Sequence, residues 1–277
     1  MNFQFVNLFR GFLSILFFSI VMQQIIAQES VWDTDDWRYV DHEWLILSHN
    51  VPVRAISTDR SNLYLTDNNL IAYRYTPPSD WYGNPGIFAK YVMRNMLEFH
   101  TTGVAGQHSA YINDRGKIYL QSRPNARFTY LPSQDAISIA LTSQAEGILM
   151  IDIRGNIYNR SLSQKEWKKM PGTDAKKIAA YGGTWMMIDK NGFIYEWNGE
   201  NWDKKPGSDA SDIFVCQSGV WMIKNSGKIY KWNGEGWSQI HGRDDGLKIA
   251  GTFDDIFMVN KSGYLYTINL HKIRPAR

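Results

Sequence analysis

Two six-residue phrases carry the groups that recognise a sugar: Trp197-Asn198-Gly199-Glu200-Asn201-Trp202 and Trp232-Asn233-Gly234-Glu235-Gly236-Trp237. A pyranose offers a C–H face that an indole covers and a rim of hydroxyls that amides and carboxylates pair. A hydroxyl left unpaired in such a contact costs about 1 to 3 kcal/mol. Trp197, Asn198, Trp202, Trp232, Asn233 and Trp237 are therefore the candidate carbohydrate-binding residues. One such site would bind in the millimolar range, roughly 4 kcal/mol, so several facing a sugar-coated surface would act through avidity. The same tryptophans have a second reading, as packing between repeated units, and the sequence leaves both open. Trp185 and Trp221, inside Trp-Met-Met-Ile and Trp-Met-Ile, read as core, as do Tyr195 and Tyr230.

No comparable pattern supports catalysis. His42, His49, His100, His108, His241 and His271 show neither His-x-x-x-His nor His–Cys spacing for a transition metal. Asp33, Asp35 and Asp36 lack the distal Glu of a calcium loop, and Gly103-Val-Ala-Gly106 lacks the Lys-Ser of a phosphate loop. There is no Gly-x-Ser-x-Gly elbow. The expectation is a protein that is not an enzyme and holds no metal or cofactor. Asp135, Asp174, Asp209 and Asp244 recur before apolar strands and read as Asx turns or ties to neighbouring backbone.

Charge and cysteine use narrow the partners. A net charge of +3, with Lys and Arg scattered among Asp and Glu, gives no basic stripe for nucleic acid. Glycans or glycoconjugates remain, with other proteins as a further class. Cys216 is the single cysteine, so no internal disulfide forms, and its place in an apolar strand reads as a buried thiol. Asn159-Arg-Ser and Asn260-Lys-Ser are N-glycosylation sequons, expected exposed at a strand end and a hairpin turn.

The elements that must position these groups repeat. Trp167, Trp202 and Trp237 recur every 35 residues, and a Gly-x-Ile-Tyr phrase ends at Tyr119, Tyr158, Tyr195 and Tyr230, with degenerate copies at Tyr73 and Tyr266. A fixed period of this size signals an array of supersecondary units. Within one unit the apolar runs are Lys176 to Ala180, Trp185 to Ile188, Phe193 to Trp197 and Trp202 to Lys205. The Asn-Gly turns between them are the strongest short-range hairpin signal. Four short antiparallel strands repeated six times predict an all-β, six-bladed β-propeller, with an open solenoid as the alternative. Repeats fall near 44–75, 81–121, 128–160, 167–197, 202–232 and 237–268. Trp32 and Trp37 flank Asp-Thr-Asp-Asp with the spacing of the later Trp pairs, so an N-terminal strand near 31–41 is expected to complete the last blade and remove the sheet edges.

Residues 1–27 read as a secretory signal peptide: Arg10, an apolar run from Phe12 to Met22, and a cleavage site at Ile25-Ile26-Ala27. That run is too short for a bilayer span, which takes about 20 residues. The mature chain, 28–277, is expected to be one domain, secreted and extracellular, with no membrane insertion.

The order of a leading Trp, Pro-Gly, an apolar strand, Gly-x-x-Trp and Gly-x-Ile-Tyr resembles the tectonin repeat, most specifically over Trp167 to Trp237 and further over Phe128 to Ile268. That family includes invertebrate defence lectins, fish-egg lectins and slime-mould surface proteins, besides intracellular propellers that serve as scaffolds. The resemblance implies a lectin-like role in innate immunity, on microbial or cell-surface glycans, with an extracellular protein-protein scaffold as the alternative. Two departures stand out: Ile256 replaces the strand Trp of the last repeat, and the first two repeats lack a clear Pro-Gly.

Overall fold

In four of the described repeats an Asx side chain holds a turn shut, while Lys224 takes that place in a fifth. Asp189 Oδ1 accepts the N–H groups of Asn191 and Phe193, both at 2.9 Å, and Asp152 does the same for Arg154 and Asn156 at 2.9 and 2.8 Å. Asn113 and Asn260 hold the corresponding turns. A short polar side chain that satisfies two backbone donors is what makes these residues turn formers. Burial pushes the Asp152 carboxyl up, but bonds from Asn156, Arg154 and Tyr158 outweigh it and hold the group below the usual carboxylate range.

The strands these turns join are described in a computed structural model covering residues 45–48, 53–58, 63–67, 72–76, 87–91, 96–101, 108–122, 127–142, 147–252 and 255–269. Strand β1 (Leu45–Ser48) is followed by β2 (Val53–Thr58), β3 (Leu63–Asp67), β4 (Ala72–Thr76) and β5 (Ile87–Tyr91), of which the last four form one sheet. The next sheets are β6 (Met96–Thr101), β7 (Ser109–Asn113), β8 (Ile118–Gln121) and β9 (Thr129–Leu131), then β10 (Ala136–Leu141), β11 (Gly147–Asp152), β12 (Ile157–Ser161) and β13 (Lys168–Lys169). Two more follow: β14 (Ala175–Tyr181), β15 (Thr184–Asp189), β16 (Ile194–Trp197) and β17 (Trp202–Lys204), then β18 (Ala210–Cys216), β19 (Gly219–Lys224), β20 (Ile229–Trp232) and β21 (Trp237–Ile240). These five sheets are each built from consecutive strands. The remaining one is composite, with β22 (Gly246–Gly251), β23 (Asp255–Asn260) and β24 (Leu265–Asn269) joined by β1, which pairs antiparallel with β24. The chain is all-β, a propeller of four-stranded antiparallel blades.

One backbone bond ties each turn to the start of the next inner strand. Ala136 N–H donates to Gly116 O at 2.8 Å, Ala175 to Gly155 at 3.1 Å, Ala210 to Gly192 at 3.1 Å and Gly246 to Gly227 at 3.0 Å. Val53 N–H donates to Gly263 O at 3.0 Å, the same bond made from the first complete sheet to the composite one.

The core lies between sheets rather than inside one. Ile112, Ile118, Ile139 and Met150 pack across the second and third, and Ile188, Ile194, Ile213 and Met222 across the fourth and fifth. Val53, Leu63, Phe257 and Leu265 pack across the composite sheet and the first. Each such side chain, fully buried, contributes about 1.5 to 3 kcal/mol, which explains how packing stabilises a chain without a disulfide. Cys216 belongs to this core, and burial pushes its thiol up.

Two expectations need correction. The 31–41 segment lies outside the described residues, and the place beside β24 is held by Leu45–Ser48, whose sequence is led by Trp44 as β17 and β21 are led by Trp202 and Trp237. The predicted repeat ranges also assign each Trp-led strand to the unit that follows. In the sheets, Trp202–Lys204 is the outer strand of the blade beginning at Ala175, because Asn198 turns the chain straight back on itself.

Candidate functional site

The tryptophans singled out by sequence sit at the ends of outer hairpins, Trp197 opposite Trp202 and Trp232 opposite Trp237. Their rings are largely taken up by protein. Trp185 stacks on Trp197 at 6.2 Å and 14°, while Trp202 tilts against it at 5.3 Å. Trp237 meets Trp232 edge-on at 5.2 Å, and Lys205 Nζ lies 5.8 Å from the Trp232 centroid. The amides are committed too. Asn198 Oδ1 accepts the N–H groups of Glu200 and Asn201, and its Nδ2 donates to Asp203 at 3.0 Å. Asn233 accepts from Glu235 and Gly236 and donates to Ser238. Asn198 and Asn233 thus hold their own turns, since the chemistry that suits Asn to a sugar hydroxyl also suits it to its own backbone.

The 35-residue tryptophan has a structural task. Trp167 Nε1 donates to Pro132 O and Trp237 Nε1 to Pro206 O, both at 2.8 Å. A Cβ on Gly172 would lie 3.2 Å from Trp202 Cδ1, and one on Gly207 would lie 3.3 Å from Trp237 Cδ1. The indoles thus pack the outer strand of each blade onto the loop that enters the same blade, at Pro132, Gly172 and Pro206-Gly207, with a hydrogen bond at the first and last. Trp221 is fully buried, with its Nε1 donating to Ser218 Oγ at 3.1 Å, and Trp185 is half-buried.

The sequons and loop acids resolve similarly. Asn159 lies within β12, half-buried, opposite Leu149 and Lys168. Asn260 is only 4% exposed and its Nδ2 donates to Asp245 Oδ2 at 2.8 Å, so the expected exposed acceptor is a buried turn clamp. Asp135 and Asp174 pair with Lys117 and Lys190 at 2.6 and 3.2 Å, and Asp209 accepts from the Asn225 amide. Their carbonyls accept the N–H groups of Ile153, Lys190 and Asn225. In the composite sheet the equivalent carbonyl belongs to Asp245 rather than Asp244. The bidentate bond from Arg243, at 2.9 and 2.7 Å, outweighs burial and holds the Asp245 carboxyl below its ordinary value. Among the described residues, no three His, Cys, Asp or Glu gather as a metal site.

A different surface is built by the inner strands. In every sheet the innermost pairing slips by one residue near its start, between Val53 and Ala55, Met96 and Glu98, Ala136 and Ser138, Ala175 and Lys177, Ala210 and Asp212, and Gly246 and Lys248. A β-bulge of this kind re-aims the extra side chain. The extra residues are Arg54, Leu97, Ile137, Lys176, Ser211 and Leu247. Arg54, Ile137, Lys176, Ser211 and Leu247 line a cavity of about 480 Å³ between the inner strands, together with Ile56, Lys177, Asp212, Phe214 and Lys248 among others. Ile137 and Leu247 are 42% and 40% exposed. Inside the lining Asp212 is 2% exposed; its Oδ2 accepts the Ile249 N–H at 2.9 Å and its Oδ1 lies 3.9 Å from Lys177 Nζ.

The Tectonin domain model matches residues 174–275. Those residues form a Tectonin domain, set within a β-propeller of four-stranded blades. No curated protein matches the chain. Among solved structures, the propeller is similar to the WD40 β-propeller domain of Doa1, with a TM-score of 0.61 and 9% identity over 83% of this chain and 97% of that one. YCF48 bound to D1 peptide gives 0.57 and 15%, over 83% and 96%. PorZ, a bacterial surface component of the type-IX secretion system of Porphyromonas gingivalis, gives 0.54 and 10%, and this chain spans 82% of its own length but 38% of the PorZ chain. Identities this low establish the propeller fold alone. The ring of bulge residues in the propeller was missed by sequence reasoning. Its one signal is that the residue after each strand's first small buried residue varies freely, from Arg54 to Ile137 to Lys176 to Ser211.

Proposed function

We propose that this propeller is an exported, non-enzymatic binding protein, a closed six-bladed ring fastened by β1, whose partner is another protein engaged at the mouth of the inner-strand cavity. The observation that carries the reading is the bulge ring: a repeated backbone holds side chains of different character, Arg54, Ile137, Lys176, Ser211 and Leu247, around one opening. Variable side chains on an invariant frame suit recognition, while the repeated indoles pack the blades. A neighbour of the same fold, YCF48, is named with a bound peptide, which supports the reading by analogy of fold. Export rests on the apolar run from Phe12 to Met22 and the small residue Ala27.

The test runs one purified protein on two supports. A displayed random-peptide library is expected to yield enriched binders, and columns of immobilised sugars are expected to retain nothing that free monosaccharide elutes. Enrichment of no peptide at all would reject the protein-binding reading. Lectin-like glycan capture is the second reading, favoured by the exposed Glu200, Asn201 and Glu235 beside half-exposed Trp202 and Trp237. Monosaccharide-eluted retention that disappears in a folded Trp202→Ala, Trp237→Ala double variant would establish it, and with it a role in defence.

A further inference from the structure

We infer that the mouth of the cavity takes an extended acidic segment bearing aliphatic side chains, a tail or loop of the partner protein; this deepens and rests on the protein-binding reading above. The first argument is charge. The described lining carries four cations, Arg54, Lys176, Lys177 and Lys248, against the single carboxylate of Asp212. That carboxylate is sequestered, bonded to the Ile249 N–H and facing Lys177, so it does not confront a ligand. With Lys177 engaged there, Arg54, Lys176 and Lys248 are the cations that meet an incoming chain. Complementary potential of this kind sets specificity and register at interfaces.

The second argument is the interleaving. Ile137 and Leu247 stand partly in solvent between the basic residues, and Ile56 and Phe214 lie in the same lining. A polyphosphate or nucleic acid would leave these apolar groups uncovered, whereas alternating Glu and Leu side chains satisfy both kinds of partner. The third is size. A cavity of about 480 Å³ falls within the range of about 300 to 1,000 Å³ usual for ligand pockets, so it admits a few residues of extended chain and excludes a folded domain.

The experiment measures anisotropy of a fluorescein-labelled, end-capped peptide, Gly-Glu-Leu-Glu-Glu-Leu-Glu-Gly, with the full mature protein. Its Gln-for-Glu and Lys-for-Glu versions serve as controls and inorganic polyphosphate as competitor. The Glu peptide is expected to bind at least about tenfold tighter than the Gln version. Its affinity should fall as salt rises from about 0.01 to 0.15 M, over which the screening length drops from about 30 to 8 Å. Lys176→Glu and Arg54→Glu are each expected to weaken binding about tenfold, and Ile137→Ser several-fold, with unchanged far-UV circular dichroism. Lys248→Gln supplies a neutral alternative should a charge reversal disturb folding. Equal affinity for the Gln peptide, affinity indifferent to all four substitutions, or binding of polyphosphate without the Glu peptide would overturn the inference. Library binders that Lys176→Glu leaves undisturbed would sink the acidic segment alone and leave the protein-binding reading standing; absence of any peptide binder would sink both.

Discussion

Trp202→Phe and Trp237→Phe are the same substitution at equivalent places in adjacent repeats, and they should differ in effect. Trp237 Nε1 donates to Pro206 O at 2.8 Å, so phenylalanine removes a made hydrogen bond, a net loss of about 1 kcal/mol. Pro206 is exposed, and water can reach its carbonyl, which keeps the loss near that figure. Trp202 Nε1 is buried with no partner among the described residues. Leaving such a donor unpaired costs the fold about 1 to 3 kcal/mol, and phenylalanine relieves that cost while giving up roughly 1 to 2 kcal/mol of packing against Gly172. The Trp202 variant is thus expected within about 1 kcal/mol of the parent. Trp237 meets Gly207 as Trp202 meets Gly172, so the packing loss is common to both and the gap is the lost bond plus the relieved donor, about 2 to 4 kcal/mol, or roughly 4 to 16 °C in Tm for a domain of this size. Thermal unfolding followed by far-UV circular dichroism avoids the altered tryptophan fluorescence. Equal losses in both variants, or a larger loss for Trp202→Phe, would refute the latch.

Three further outcomes follow from the same geometry. Gly227, at φ 96° and with a Cβ position 2.3 Å from Asp244 O, should lose well over 2 kcal/mol on change to Ala. Gly199, at φ 104° with nothing within 4 Å, should lose only the conformational cost of about 1 to 2 kcal/mol; chemical denaturation that ranks them otherwise contradicts the inter-blade tie. Cys216, buried and with its thiol pushed up by desolvation, should resist iodoacetamide at mildly alkaline pH until the protein unfolds, and rapid native-state alkylation seen by mass spectrometry would be the opposite result. The Asp245 carboxyl is held below its ordinary value chiefly by Arg243, so its contribution is present above the unfolded value of about 3.9 and is lost as pH falls through the lower folded value. Asp245→Asn should therefore cost stability at neutral pH and flatten the acid limb below about pH 4; urea midpoints that show an unchanged limb would contradict this.

The repeated strands were legible because two independent periods, alternation within a strand and Asn-Gly or Asn225-Ser-Gly227 at its end, agree over residues 167–240. The strand beside β24 was misplaced because Trp32-Asp-Thr-Asp-Asp-Trp37 copies the spacing of the outer hairpins while Leu45–Ser48 carries only a short apolar run. The candidate site was read less well, for a physical reason. An Asn or Trp shows its hydrogen-bonding and stacking capacity in sequence, but not whether Asn198 bonds its own turn or Trp197 is stacked under Trp185. The bulge at Lys176 is harder still, since one extra residue alters no composition and interrupts alternation at a single step. The shift from Asp244 to Asp245 in the tie to Lys261 was hidden because two adjacent aspartates are interchangeable to a motif.

A crystal structure of the mature protein with the Glu-Leu peptide bound tests the central claim most directly. The account predicts density at the opening framed by the starts of β2, β10, β14 and β22, with peptide carboxylates on Arg54, Lys176 or Lys248 and leucines against Ile137 or Leu247. Density on the outer hairpins at Trp202 and Trp237, with the opening vacant, would contradict it.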